Sequence, residues 1–193
     1  MFILLCVLSV FLLFVKKSFI ENETAAFEFL ADKGQAGILR LVSALQMFSI
    51  PIIYLWKFTV IGFVIWVGCF MFGFRVTFSQ CWGVALVSEF VFLLPETVKI
   101  SWFLFVETDP RLYDVRAFYP LSLMNFFDYY TLDTRYSYPL RALNAWEVIY
   151  WFALVAGLHY FTRREKKYAW IIVAGSYIPI FLLWLWFYII VYK

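Results

Sequence analysis

Charge is scarce in this chain and histidine almost absent. Only 15% of its 193 residues are Asp, Glu, Lys or Arg, and His159 is the single imidazole. A soluble domain carries about 25% charged and about 45–50% apolar residues. Here 65% are hydrophobic and 24% aromatic, and the mean hydropathy is +0.83. So few charges cannot cover that much apolar surface in water, and lipid has to act as solvent for much of it. The net charge of +3 comes with no basic stripe, which argues against a nucleic-acid partner. One histidine leaves little from which to build a zinc or haem site. Cys6, Cys69 and Cys81 lie in apolar runs without a CxxC spacing. They read as small buried residues, not as metal or redox ligands. No Ser/His/Asp set, HExxH, P-loop or carboxylate pair occurs, so the expectation is no enzyme, no cofactor and no soluble substrate.

What is present is a series of long apolar runs. Met1 to Val15 is apolar apart from Ser9, with Lys16 and Lys17 after it and no cation before it. A secretory signal peptide has the reverse order of charge. The run therefore reads as an uncleaved helix that continues to about residue 20, its lysines snorkelling to the interface. Residues 21–50 read as interfacial. Phe27, Leu30 and Ala31 alternate there with Glu28, Asp32 and Lys33 at helical spacing, and Gly34 and Gly37 mark an end or turn. Pro51 predicts a kink or break, then a span over about 52–73. Gly73 to Thr77 is too short for anything but a helical hairpin. A third span follows over 78–94 and continues past Pro95 to 106, with proline in a new first turn and Glu96 near the N-terminus. The stretch 107–140 mixes acids and arginines with six tyrosines, which suits the headgroup level. Asn144 with Glu147 reads as a capping box opening a span over 145–162. After Arg163-Arg164-Glu165-Lys166-Lys167 comes a last span, 168–192. There is no internal repeat of the kind that marks inverted-repeat transporters.

Five spans put the termini on opposite sides. The short turns holding Arg75 and the Arg163–Lys167 cluster share a side with the N-terminus. Basic residues in short loops beside spans weigh most, so the N-terminus is expected inside and the C-terminus outside, although Lys16 and Lys17 argue the other way.

Five polar residues stand out inside or beside the spans. Glu89 lies mid-way along the third. A carboxylate at that depth costs about 2.5–3.5 kcal/mol on insertion scales. Glu96 is seven residues on and Lys99 three beyond it. That line could face the bundle interior or a partner as an ion or proton path, or Glu89 could simply be a neutral or paired group bridging helices. The bridging role is the blander reading and is preferred. His159, within a turn of Arg163, reads as interfacial. Glu147 reads as a cap.

The stretches FGFRVTFSQCWGVALVSEFVFLLPETV and LNAWEVIYWFALVAGL, with the tight basic turn before a last apolar helix, resemble the Yip family of small membrane proteins, which includes uncharacterised bacterial members. The resemblance covers roughly Phe58 to Tyr192; the apolar N-terminal run departs from it. It implies about five helices and a cytoplasmic N-terminus, and, by its eukaryotic relatives, a scaffolding role in membrane trafficking. It carries over no functional residue. The sequence therefore predicts an all-α integral membrane bundle of about five transmembrane helices plus interfacial helices. As a single membrane domain in an inner membrane, its partners would be the lipid bilayer and other membrane protein subunits. The alternative is a small permease or ion-conducting protein with Glu89 in the path.

Overall fold

A computed structural model of the chain describes residues 1–21, 36–106, 112–129 and 131–192. The interfacial helix expected around Phe27 to Lys33, the acids Glu107 and Asp109, and Arg111 lie outside the described residues. The described chain is all-helical. Helix α1 is Phe2–Lys16, followed by a π turn over Lys17–Glu21. Helix α2 is Ala36–Met71. Helix α3, Phe78–Ser88, runs through a 3-10 turn, Glu89–Phe92, into α4, Leu93–Phe105. Then come α5, Leu112–Ala117, a 3-10 turn over Leu123–Phe126, and α6, Thr134–Ala142. Helix α7 is Ala145–Thr162, α8 is Lys166–Gly175 and α9 is Tyr177–Val191.

Among the described residues, four stretches are long and apolar enough to cross a membrane: Phe2–Phe19, Ala44–Met71, Phe78–Phe105 and Lys166–Val191. Helix α7, expected as a further span, is not among the four; its 18 residues include Glu147 and His159. The second stretch also differs from expectation. Helix α2 contains Pro51 and is not broken there. Proline removes one backbone donor, and helices in lipid tolerate it when nearby hydroxyls and local adjustments satisfy the freed groups. The carbonyl that Pro51 leaves without its helical donor is that of Met47, four residues back; Ser49 Oγ donates instead to the Gln46 carbonyl at 2.8 Å. The last stretch is divided where no break was expected, at Ser176. Pro179 falls in the first turn of α9, where its missing donor costs least. Ser176 Oγ turns back onto the Ile172 carbonyl at 2.6 Å.

The hairpin expected over Gly73 to Thr77 is realised. Gly73 has φ +76°. Its N–H bonds the Phe70 carbonyl at 3.0 Å, and Phe74 N–H bonds the Cys69 carbonyl at 2.8 Å. That pair of bonds is a Schellman stop. Thr77 and Gln80 then form a capping box that starts α3.

The chain falls into two compact units. The first comprises residues 1–54 and 93–120. Its core is apolar: Ile100, Phe103 and Val115, with Leu12, Val15, Leu104 and Phe118 packed around them. Phe118 stacks on Trp102 at 5.6 Å and meets Phe103 edge-on at 5.5 Å. Ser9 Oγ and Tyr54 OH share a hydrogen bond of 2.7 Å, and Lys17 Nζ donates to Gln46 Oε1.

The second unit comprises residues 55–92 and 121–193. Helix α7 packs on α3, on the Glu89–Phe92 turn and on α8, while α6 packs on α9. Small residues let these helices approach closely. A Cβ on Gly157 would lie 2.7 Å from Val84 Cγ1, one on Gly68 would lie 2.7 Å from Ser176 Cβ, and one on Gly62 would lie 3.1 Å from the Trp82 backbone. Tyr138 of α6 meets Tyr188 of α9 at 4.6 Å and accepts from Trp184 Nε1 at 3.2 Å. The outer helix faces are apolar: Phe48 is 79% exposed, Phe70 77% and Trp56 72%. Exposed apolar side chains in this number suit lipid, not water.

Candidate functional site

The polar centre of the molecule lies inside the second unit. Lys57, the single charged residue of the Ala44–Met71 stretch, donates from Nζ to Glu89 Oε1 at 2.6 Å. The Lys57 side chain is 38% exposed and Glu89 3%. The ammonium also lies 4.8 Å from the centre of the Phe92 ring, a cation–π position. Glu89 Oε2 is buried without a hydrogen-bond partner among the described residues.

Glu147 occupies the same region. Asn144 Oδ1 accepts from the Glu147 N–H at 2.8 Å, so the cap of α7 is real. The capping box expected with Glu147 is only half formed: the Asn144 side chain caps, but the Glu147 carboxylate does not reach back to the Asn144 N–H and turns elsewhere. Its Oε1 accepts from Trp151 Nε1 at 3.0 Å, one turn along the helix, and from Tyr177 OH at 2.9 Å, across to α9. Glu147 lies within electrostatic reach of Lys57 and Glu89. Tyr150 is fully buried, its ring 5.0 Å from Phe92, which lies under the Lys57 ammonium, and 5.6 Å from Tyr177, which bonds Glu147. The Tyr150 hydroxyl has no hydrogen-bond partner among the described residues and feels both carboxylates.

The other sequence-selected residues are placed differently. Glu96 and Lys99 belong to the first unit, in α4. Glu96 is half-buried in the first turn and Lys99 is buried. Drawing Glu89, Glu96 and Lys99 on one face assumed a regular α-helix, whereas Glu89–Phe92 is a 3-10 turn. The partner the structure gives Glu89 is Lys57. His159 lies half-buried in the last turn of α7. Its carbonyl accepts from the Arg163 N–H at 3.1 Å, and its Nδ1 is buried without a partner among the described residues. Arg163 closes the helix with φ +50°. The thiols Cys6, Cys69 and Cys81 are buried and free. Among the described residues no group of three or more His, Cys, Asp or Glu side chains is placed to hold a metal ion.

Sequence reasoning missed Lys57, Tyr150 and Tyr177. The one local signal was Trp151, four residues after Glu147 and so on the same helix face. The remaining partners come from distant helices. No protein-family model, curated protein or solved structure matches the chain. The described residues thus form an all-helical protein with four helices long and apolar enough for a membrane, and with a charged cluster inside the second unit.

Proposed function

We propose that the chain is a non-enzymatic polytopic inner-membrane protein that serves as a subunit or scaffold of a larger membrane complex. One observation carries this reading: the deepest polar groups tie helix to helix. Lys57 holds Glu89, and Tyr177 holds Glu147, over apolar outer faces. In this reading α7 is a fifth crossing helix. Its 18 residues reach ~27 Å at ~1.5 Å each, close to a ~30 Å hydrocarbon core. The Yip-like architecture, with the N-terminus inside and the C-terminus outside, belongs to the same proposal. Purification of the tagged chain in a mild detergent, with mass spectrometry of what accompanies it, tests the role. Other membrane subunits in stoichiometric yield are expected. A monodisperse monomer with no companion would reject it.

A second reading, a small permease or ion-conducting protein with Glu89 in the path, is favoured by the unpartnered Glu89 Oε2. It predicts flux in proteoliposomes that Glu89→Gln abolishes. Wild-type vesicles that carry no flux would sink it.

A further inference from the structure

The buried charges of the second unit do not balance. Lys57 on α2, Glu89 on the 3-10 turn, Glu147 and Tyr150 on α7, and Tyr177 on α9 are the titratable groups that face one another there. Lys57 is the one cation that the described residues bring to either carboxylate. It bonds Glu89, while Glu147 is held by two neutral donors, an indole N–H and a phenol O–H. Two carboxylates against one ammonium leave one negative charge uncompensated. The surroundings cannot absorb it cheaply: Glu89 is 3% exposed, Glu147 6% and Tyr150 0%. An unbalanced charge in a water-poor interior is strongly unfavourable.

The same place holds unused coordination. Glu89 Oε2 and Tyr150 OH are both buried and both lack a hydrogen-bond partner among the described residues. Buried polar atoms of this kind call for a missing partner. The missing charge is +1, and the free atoms are hard oxygen donors. Transition metals prefer thiolate or imidazole, and a divalent ion would overshoot the charge. We propose that Glu89, Glu147 and Tyr150 bind one monovalent cation, either a proton or an alkali ion. A proton would convert one carboxylate to a carboxyl, whose new O–H then donates to a neighbouring oxygen. An alkali ion would take the carboxylate and phenol oxygens as ligands. Either brings the cluster to neutrality. The inference holds whether the cation stays in place, as a scaffold would need, or moves, as a conducting protein would need.

The test uses the full chain in detergent. Its thermal unfolding is followed in sodium, potassium and choline chloride at equal ionic strength, and across the neutral pH range. An alkali ion predicts greater stability in sodium or potassium than in choline. A proton predicts a pH dependence with a slope of one proton, and an infrared band from one protonated carboxyl at neutral pH. In either arm Glu147→Gln removes the whole effect, because Lys57 and Glu89 then balance alone, while Trp151→Phe retains it. Should Glu147→Gln fail to fold, the wild-type infrared spectrum and equilibrium binding of radioactive sodium still decide the matter. Wild-type protein with neither a bound alkali ion nor a protonated carboxyl overturns the proposal. So does a cation or pH effect that survives in folded Glu147→Gln.

Discussion

The two units of this protein achieve compactness by different means. The first is held mainly by apolar contacts among Leu12, Val15, Ile100, Phe103, Val115 and Phe118, with Lys99 as its one buried charged residue among those described. The second encloses Glu89 and Glu147 with Ser88, Ser122, Ser137 and Ser176, and brings its helices together on glycines. Apolar packing is tolerant of substitution so long as volume is kept. A buried ion pair is not: replacing both partners by apolar groups can be neutral, but removing one leaves an uncompensated charge. The second unit should therefore specify its helix neighbours far more strictly than the first. It should also fail more sharply when one atom is changed.

Three experiments bear on that contrast, in order of expected effect. Lys57→Met strips Glu89 of its counter-ion. Breaking a fully buried pair costs about 3–5 kcal/mol, and the partial exposure of Lys57 brings the expectation down to about 2–3 kcal/mol. The double change Lys57→Met with Glu89→Met should recover most of it. Denaturant titration of purified protein measures both, and a double variant no more stable than Lys57→Met would erase the distinction between the units. Next, Tyr177→Phe removes one hydroxyl from Glu147, at an expected cost of about 1.5–3 kcal/mol for a hydrogen bond to a charged group. In the first unit Phe103→Leu, a coarser change of shape, should cost less than about 1.5 kcal/mol. A reversal of that order in the same assay would show that packing, not polarity, sets the strictness. The smallest effect separates two glycines of the second unit. Gly157→Ala meets Val84 at 2.7 Å and should cost about 1–2 kcal/mol through overpacking. Gly83→Ala meets nothing within 4 Å and should stabilise α3 by up to about 1 kcal/mol. Melting temperatures of the two variants side by side give the answer.

How much of this could be read from the chain follows from the range of each interaction. The hairpin was legible because Gly73 and Thr77 act on their immediate neighbours. The first turn of α4 was legible because Pro95 and Glu96 obey rules of helix ends. Helix α2 passing through Pro51 was not, because a proline's effect depends on what satisfies the groups it frees. The break at Ser176 escaped because Gly175, Ser176 and Pro179 are each compatible with a continuous run in lipid. Glu89 was singled out as deep and polar, and the preferred reading had it bridging helices without naming what it bridges to. The cation it meets, Lys57, lies 32 residues back, beyond the reach of any local signal. Glu147 was assigned to its cap because the backbone half of that motif is local, while the side-chain half reaches 30 residues onward to Tyr177.

Under the proposed membrane reading, the Gly73–Thr77 turn has a consequence for biosynthesis. It joins Lys57 and Glu89 through one hairpin of two helices, with no long loop to translocate. Helices entering a bilayer singly would each bring a bare charge, at about 2.5–3.5 kcal/mol apiece on insertion scales. Entering as a folded pair, they bring a salt bridge already closed. Lengthening the turn with a flexible insert should therefore lower the fraction of chains that integrate during translation, and Lys57→Met with Glu89→Met should make integration indifferent to the length of that turn.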